Sequence, residues 1–333
     1  MQRFIPSFHT ARLLKHLAAV SILSISVAAT AQTYPTFTEG AKNPQTLASG
    51  TASPTLFSLG INVGMAYVDS SSGCVEIAYS ANGYNFTTAN GTSICPGSGT
   101  TLAATYVQQS GDLVIAYVLN GTLYTATSND DGATFGPVQL GGAIAARDLT
   151  VAPTGRPSMV AYGSNVLITY ASGSTIYMTI GTVPYASYYT TFTPSVQIGS
   201  GYLATSNPAI TTFGTGYALV WLTGTGYPVV AILPVSDPTS PTSVTETTGI
   251  EIGGDPSPAA YNGGLFIFGR SYYSADNLWA IGTIDGINFE PQYEYGQTLT
   301  NSASVFAWDG GAYLTQAGRS NYGSNVWAYF ANY

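Results

Sequence analysis

Residues Gly111 to Pro137 read GDLVIAYVLNGTLYTATSNDDGATFGP. Leu113 to Val118 is a nearly continuous apolar run, and Thr122 to Ser128 is rich in Thr and Tyr. The Asn120-Gly121 dipeptide between them predicts a two-residue hairpin turn. A compact loop follows, Ser128-Asn129-Asp130-Asp131-Gly132-Ala133-Thr134-Phe135. Its Gly suits a positive-φ turn position, its Asp can cap backbone amides, and its aromatic can tuck between strands.

Weaker copies of this unit recur along the chain. Ser53-Pro54, Leu102-Ala103, Arg156-Pro157, Asn207-Pro208, Ser257-Pro258 and Ser302-Ala303 open successive units. Their second members lie 49, 54, 51, 50 and 45 residues apart. A fixed period of this size marks a repeat architecture. Each unit carries an apolar second strand: Val63 to Val68, Leu113 to Val118, Val166 to Tyr170, Tyr217 to Leu222, Leu265 to Phe268 and Ala312 to Thr315. Third strands follow at Val75 to Ser80, Thr122 to Ser128, Thr175 to Ile180, Val229 to Pro234, Leu278 to Thr283 and Val326 to Phe330. Apolar runs without alternation belong to strands covered on both faces. Repeated four-stranded sheets of that kind describe the blades of a β-propeller.

Five units are complete, and the sixth ends at Tyr333 without a fourth strand. Thr36-Phe37-Thr38-Glu39-Gly40 looks like the missing piece, by comparison with Phe289-Glu290-Pro291 and Phe192-Thr193-Pro194. The expectation is an all-β, six-bladed propeller of four-stranded antiparallel blades. The blades run approximately over 53–97, 101–142, 156–199, 207–253, 257–297 and 302–333. Residues 34–41 complete the last one and leave no open sheet edge.

The first 31 residues stand apart. Arg3, Arg12 and Lys15 form a basic start, Leu17 to Ala29 an apolar run, and Ala29-Thr30-Ala31 a small-x-small cleavage site before Gln32. That is a signal peptide, too short in its apolar part to span a membrane comfortably. Residues 32–333 form the propeller domain, and the protein is expected to be secreted, periplasmic or on the cell surface. In an exported chain the two cysteines, Cys74 and Cys95, read as a disulfide. Antiparallel neighbours bring Cys74, at the start of a third strand, and Cys95, at the end of a fourth, to one rim of the first blade.

Removal of the signal peptide takes both histidines and three of the eight basic residues. Five cations then face sixteen acids, a net charge of −11. A protein this acidic is not built for nucleic acid or an anionic membrane. Without histidine there is no Ser-His-Asp triad and no histidine metal site, and paired cysteines supply no thiol nucleophile. Carboxylate and tyrosine chemistry remain. No cofactor is implied, and Asp130-Asp131 lacks the further acidic ligands of a calcium loop.

The loop Ser128 to Phe135 fits the Asp-box pattern S-x-D-x-G-x-T-[WF]. Degenerate copies stand at Tyr79 to Phe86 and Ile284 to Phe289. In these loops the chain resembles the sialidase-like (BNR, Asp-box) β-propeller superfamily. The resemblance implies a pocket over the central channel, on the face that carries the blade-to-blade connections. It also implies that the Asp boxes, on the opposite face, are scaffolding. The arginine of the sialidase Phe/Tyr-Arg-Ile-Pro motif is absent; Gly155-Arg156-Pro157 is a poor echo.

Four of the five remaining cations fall on the inter-blade face or its rim. Arg147, Asp148 and Arg156 lie in the longest connection. Arg270 and Arg319 end second strands in similar contexts, Gly269-Arg270-Ser271-Tyr272-Tyr273 and Gly318-Arg319-Ser320-Asn321-Tyr322. Arginine gives bidentate bonds to sugar carboxylates or vicinal hydroxyls, and tyrosine faces stack on sugar rings. The candidate ligand-binding residues are Arg147, Asp148, Asp255, Arg270, Tyr272, Asp276, Arg319 and Tyr322. Each arginine could equally pair with a local acid, and most tyrosines must pack between blades. The leading expectation is a monomeric, non-catalytic propeller binding a glycan or another extracellular polymer. The alternatives are an exo-acting glycoside hydrolase of the sialidase type, with catalytic residues unassigned, and an adhesion module for a protein partner.

Overall fold

A computed structural model describes residues 34–35, 47–49, 54–83, 85–88, 92–136, 144–145, 149–183, 191–248, 251–271, 277–298, 302, 304–308, 313–319 and 325–332. For 47–49, 144–145, 296–298, 313–319 and 325–332 only the backbone is described. The described residues contain strands and turns and no helix, so none crosses a membrane as a helix.

The hairpin at Asn120-Gly121 forms as its sequence dictates. Both residues take positive φ, 51° and 73°, and Leu119 pairs with Thr122 across the turn. This turn twists with the strands it joins. Strand Asp112–Leu119 is buried along most of its length, as an apolar run covered on both faces must be.

The strands gather into five four-stranded sheets and one of five strands. The first holds Thr55–Leu59, Asn62–Val68, Val75–Ser80 and Thr87–Thr88. The second holds Leu102–Val107, Asp112–Leu119, Thr122–Ser128 and Ile144–Ala145. The third holds Ser158–Tyr162, Asn165–Ser172 and Thr175–Thr182, and its outer edge is split into Thr191–Phe192 and Val196–Ile198. The fourth holds Ala209–Phe213, Gly216–Leu222, Pro228–Pro234 and Ser243–Glu246. The fifth holds Ile252–Tyr261, Gly264–Ser271, Asn277–Thr283 and Tyr293–Thr298. The last holds Ser304–Trp308, Tyr313–Arg319, Asn325–Asn332 and, at its edge, Leu47–Ser49. Within each sheet the pairings are antiparallel, in chain order apart from that edge strand.

The core lies between sheets, not within any one of them. Leu113 and Ile115 of the second sheet pack on Ile77 and Val75 of the first. Val166 and Ile168 of the third pack on Val114 and Ala116 of the second. Trp221 and Leu219 of the fourth join Met178 and Leu167 of the third. Ile252 and Ile267 of the fifth join Val220 and Leu222 of the fourth. Val305 of the last meets Phe266 and Phe268 of the fifth, and Trp308 of the last meets Leu56, Val63 and Met65 of the first. Every sheet thus buries one face against the sheet before it and one against the sheet after. That is the packing of an all-β propeller.

Three details depart from the sequence reading. The strand paired with the C-terminal strand is Leu47–Ser49, with Leu47 opposite Val326, where the sequence reading expects residues 34–41. Of the latter, only Tyr34 and Pro35 are described. Tyr34 stacks on Tyr293 and meets Phe266 edge-on. Its hydroxyl accepts from Gly282 N–H and donates to the Pro291 carbonyl. Those apolar and hydrogen-bonding partners belong to the fifth sheet or its loops, so Tyr34 packs against that sheet.

The fifth sheet begins earlier than residue 257. Ile252 already pairs with Ser271, and the register shifts between Gly253 and Ser257. Cys95 is not at the end of a strand. The outer strand is only Thr87–Thr88, and the chain from Thr92 runs irregularly beside the third strand, where Val75 N–H donates to the Ile94 carbonyl. The Cys74–Cys95 disulfide forms there as expected.

Candidate functional site

The first strands of the sheets surround a central cavity of about 720 Å³, within the usual range for small-ligand sites. Short polar side chains stitch one first strand to the next along its wall. Ser158 Oγ accepts from Ile210 N–H at 3.0 Å. Ser257 Oγ accepts from Val305 N–H at 2.7 Å, and Ser304 Oγ accepts from Leu56 N–H at 3.2 Å.

The inter-blade end of the cavity is ringed by the residues that open the repeat units. Asn207 donates its backbone N–H to Asp255 Oδ1 at 2.9 Å, and its side-chain amide reaches both carboxylate oxygens at 3.0 Å. Asp255 N–H in turn donates to Ser302 Oγ at 2.7 Å. These bonds tie the fourth, fifth and last units together.

On the other side, Arg156 Nη2 donates to Thr55 Oγ1 at 2.9 Å, and Thr55 Oγ1 donates to the Leu102 carbonyl. That chain links the third, first and second units. Pro157 fixes the backbone after Arg156, as Pro208 does after Asn207.

Arg156 is set deep in the ring yet keeps part of its surface open. It lines the central cavity and also a crevice of about 370 Å³ walled by Ser98, Gly99, Thr100 and Thr154. Burial lowers its pKa, and the negative charge of Asp255 works against that shift. An arginine stays protonated through such a change, so the ring holds a fixed cation. Among the described residues its side chain makes one hydrogen bond, to Thr55. Asp255 is the one acid among the described residues lining the cavity.

The loops at the opposite end of the sheets are closed systems. Asp130 Oδ1 accepts from Thr134 N–H at 2.8 Å and from Ser128 Oγ at 2.7 Å, and Oδ2 accepts from Thr134 Oγ1 at 2.6 Å. Gly132, at φ 89°, donates its N–H to Ser128 Oγ at 2.7 Å. Asp285 repeats the design with Ile287, Asn288 and Thr283. Burial opposes its ionisation, but these bonds outweigh it and hold the pKa down to about 2. In the first sheet Asn82 does the same work with an amide, accepting from Asn85 N–H at 2.9 Å. No group of three or more metal-binding side chains occurs among the described residues.

Of the sequence-predicted residues, Asp255 lies in the ring. Arg270 stands half-buried in the second strand of the fifth sheet, opposite Gly253, and does not line the cavity. Arg319 ends a second strand opposite Val326 and is described by its backbone. Arg147, Asp148, Tyr272, Asp276 and Tyr322 lie outside the described residues. Arg156, Asn207 and Thr55 are the additions. The signal that finds them is their shared place just before, or at the start of, each unit's first strand.

No protein-family model and no curated protein matches the sequence. Solved structures do match by shape. The NanB sialidase of Streptococcus pneumoniae aligns over 90% of this chain and 69% of its own, with a TM-score of 0.61 at 8% identity. The six-bladed fucose-recognising lectin of Aleuria aurantia aligns over 86% and 93%, with a TM-score of 0.57 at 10% identity. The fold is that of the sialidase-like β-propellers. A Hadza microbial sialidase aligns over 86% of this chain, with a TM-score of 0.57 at 11% identity, and the chain spans 66% of that sialidase. Both enzymes and lectins share this fold, so the site must decide between them.

Proposed function

We propose that this is an exported, monomeric carbohydrate-binding propeller whose ligand enters the channel mouth on the inter-blade face. The observation that carries this reading is Arg156. It is a fixed cation with unused donors, held at the junction of the central cavity and a surface crevice. Guanidinium donors in a concave setting with both polar and apolar walls are suited to sugar hydroxyls. The lectins among the structural neighbours support a carbohydrate ligand.

Six blades, closed by Leu47–Ser49 on the C-terminal strand, are the architecture we infer from the sheet order and the inter-sheet clusters. Residues 1–31 act in this reading as the export signal and 32–333 as the domain. The Cys74–Cys95 bond favours an oxidising compartment. Arg147, Asp148, Arg270, Tyr272, Asp276, Arg319 and Tyr322 are proposed to extend the binding face outward from Arg156 and Asp255.

Binding is favoured over hydrolysis by the cavity's chemistry. Hydrolysis of a glycoside needs two carboxylates or a carboxylate with a tyrosine nucleophile. Among the described residues lining the cavity Asp255 is the one carboxylate, so no pair of acids is found there. A glycan array run beside a panel of aryl glycosides and sialosides tests the reading. Glycan capture without fluorophore release is expected; release with turnover would make the protein a glycosidase.

A further inference from the structure

Among the described residues, the cavity is lined by one cation, Arg156, and one anion, Asp255, that act on each other without touching. Asp255 is the charge that Arg156 feels, yet among the described residues no ion pair joins them. Each is anchored to its own half of the ring, Arg156 to Thr55 and Asp255 to Asn207 and Ser302. Both residues line the same central cavity. One side presents N–H donors and the other a carboxylate with lone pairs to spare beyond its bonds from Asn207. The charge of the pair sums to zero, inside a domain whose net charge is −11 without residues 1–31.

That arrangement selects by charge. A sugar carboxylate placed on Arg156 would lie near Asp255 and within a negative overall field. A neutral vicinal diol meets no such repulsion. One hydroxyl accepts from the guanidinium, its neighbour donates to the carboxylate, and neither group of the protein loses its counter-charge. We infer that the Arg156–Asp255 gap takes the vicinal hydroxyls of a neutral sugar and rejects acidic ones. This rests on the channel mouth being the glycan site, and it names the ligand class.

The test is titration calorimetry on the full chain with three probes: methyl galactoside, glucuronate and N-acetylneuraminate. The galactoside is expected to bind at least about tenfold more tightly than either acid, with little change from low to high salt. Asp255→Asn should weaken the galactoside by about tenfold and narrow or reverse the preference against the acids. If that variant does not fold, the wild-type preference and its salt response decide. An acidic sugar bound more tightly, with affinity falling as salt rises and lost in Arg156→Ala, would overturn the neutral-sugar inference and leave the glycan site standing. Binding that survives Arg156→Ala, or no binding of any probe or arrayed glycan, would overturn both.

Discussion

The two ends of the sheets treat polar side chains in opposite ways. At the loop end, Asp130 and Ser128 satisfy one another and the backbone around them within eight residues of chain. At the channel end, the Arg156 side chain makes one hydrogen bond among the described residues, to Thr55, 101 positions away, and lines two open spaces. A network closed on itself fixes a turn and has nothing left for a ligand. A group held by one bond, with donors unused at a cavity, is positioned without being used up. On the proposed reading, one face is scaffolding and the other recognition.

Substitutions should separate the two. The largest effect is expected at Gly132. A Cβ there would come within 2.9 Å of the Tyr79 hydroxyl, 3.0 Å of Ile77 and 3.1 Å of Leu113, at φ 89°. Strain and overpacking together should cost about 3 kcal/mol in chemical denaturation of Gly132→Ala, with glycan affinity unchanged in the folded fraction. Arg156→Ala should do the reverse. Loss of a charged donor should weaken glycan binding by about 1.5–3 kcal/mol, read by calorimetry, with little change in melting temperature.

Tyr34→Phe removes the hydroxyl that joins Gly282 to Pro291 and should lower stability by about 1 kcal/mol without touching the site. The smallest effect is at Asp285. Its folded pKa, about 2, lies below the ordinary aspartate value of about 3.9. Its ionised form therefore stabilises the fold above about pH 4, and that contribution fades as pH falls toward about 2. Asp285→Asn should flatten this acid limb of the melting curve. Asn82, which occupies the equivalent place in the first sheet, already lacks it.

Much of this fold could be read before any coordinates. The apolar runs at Leu113, Val166 and Tyr217 announce second strands because burial on both faces leaves no room for alternation. Asn120-Gly121 announces its hairpin because few other pairs tolerate two positive φ angles. The closing strand was harder to read. Leu47–Ser49 is three residues long, and its place is set by pairing with Asn325 and Val326, hundreds of positions away. Thr36 to Gly40 lie outside the described residues, and Tyr34 beside them packs on the fifth sheet.

The site was legible in part for the same reason. Asp255 stood out as an acid in a connection. Arg156 was visible as a cation on the correct face, but its partner Thr55 lies two units away and no local pattern points to it. Arg156 and Asn207 each precede the proline that opens their units, but Thr55 and Asp255 lie two residues to either side of the matching Ser53 and Ser257, so the repeat alone does not bring the four together.

The central claim is that Arg156 holds the glycan at the channel mouth. Titrating wild type and Arg156→Ala with the tightest ligand from a glycan array, alongside their thermal melts, tests it most directly. Equal melting temperatures with binding lost in the variant are predicted. Equal melting temperatures with equal affinities would contradict the assignment of the recognition face.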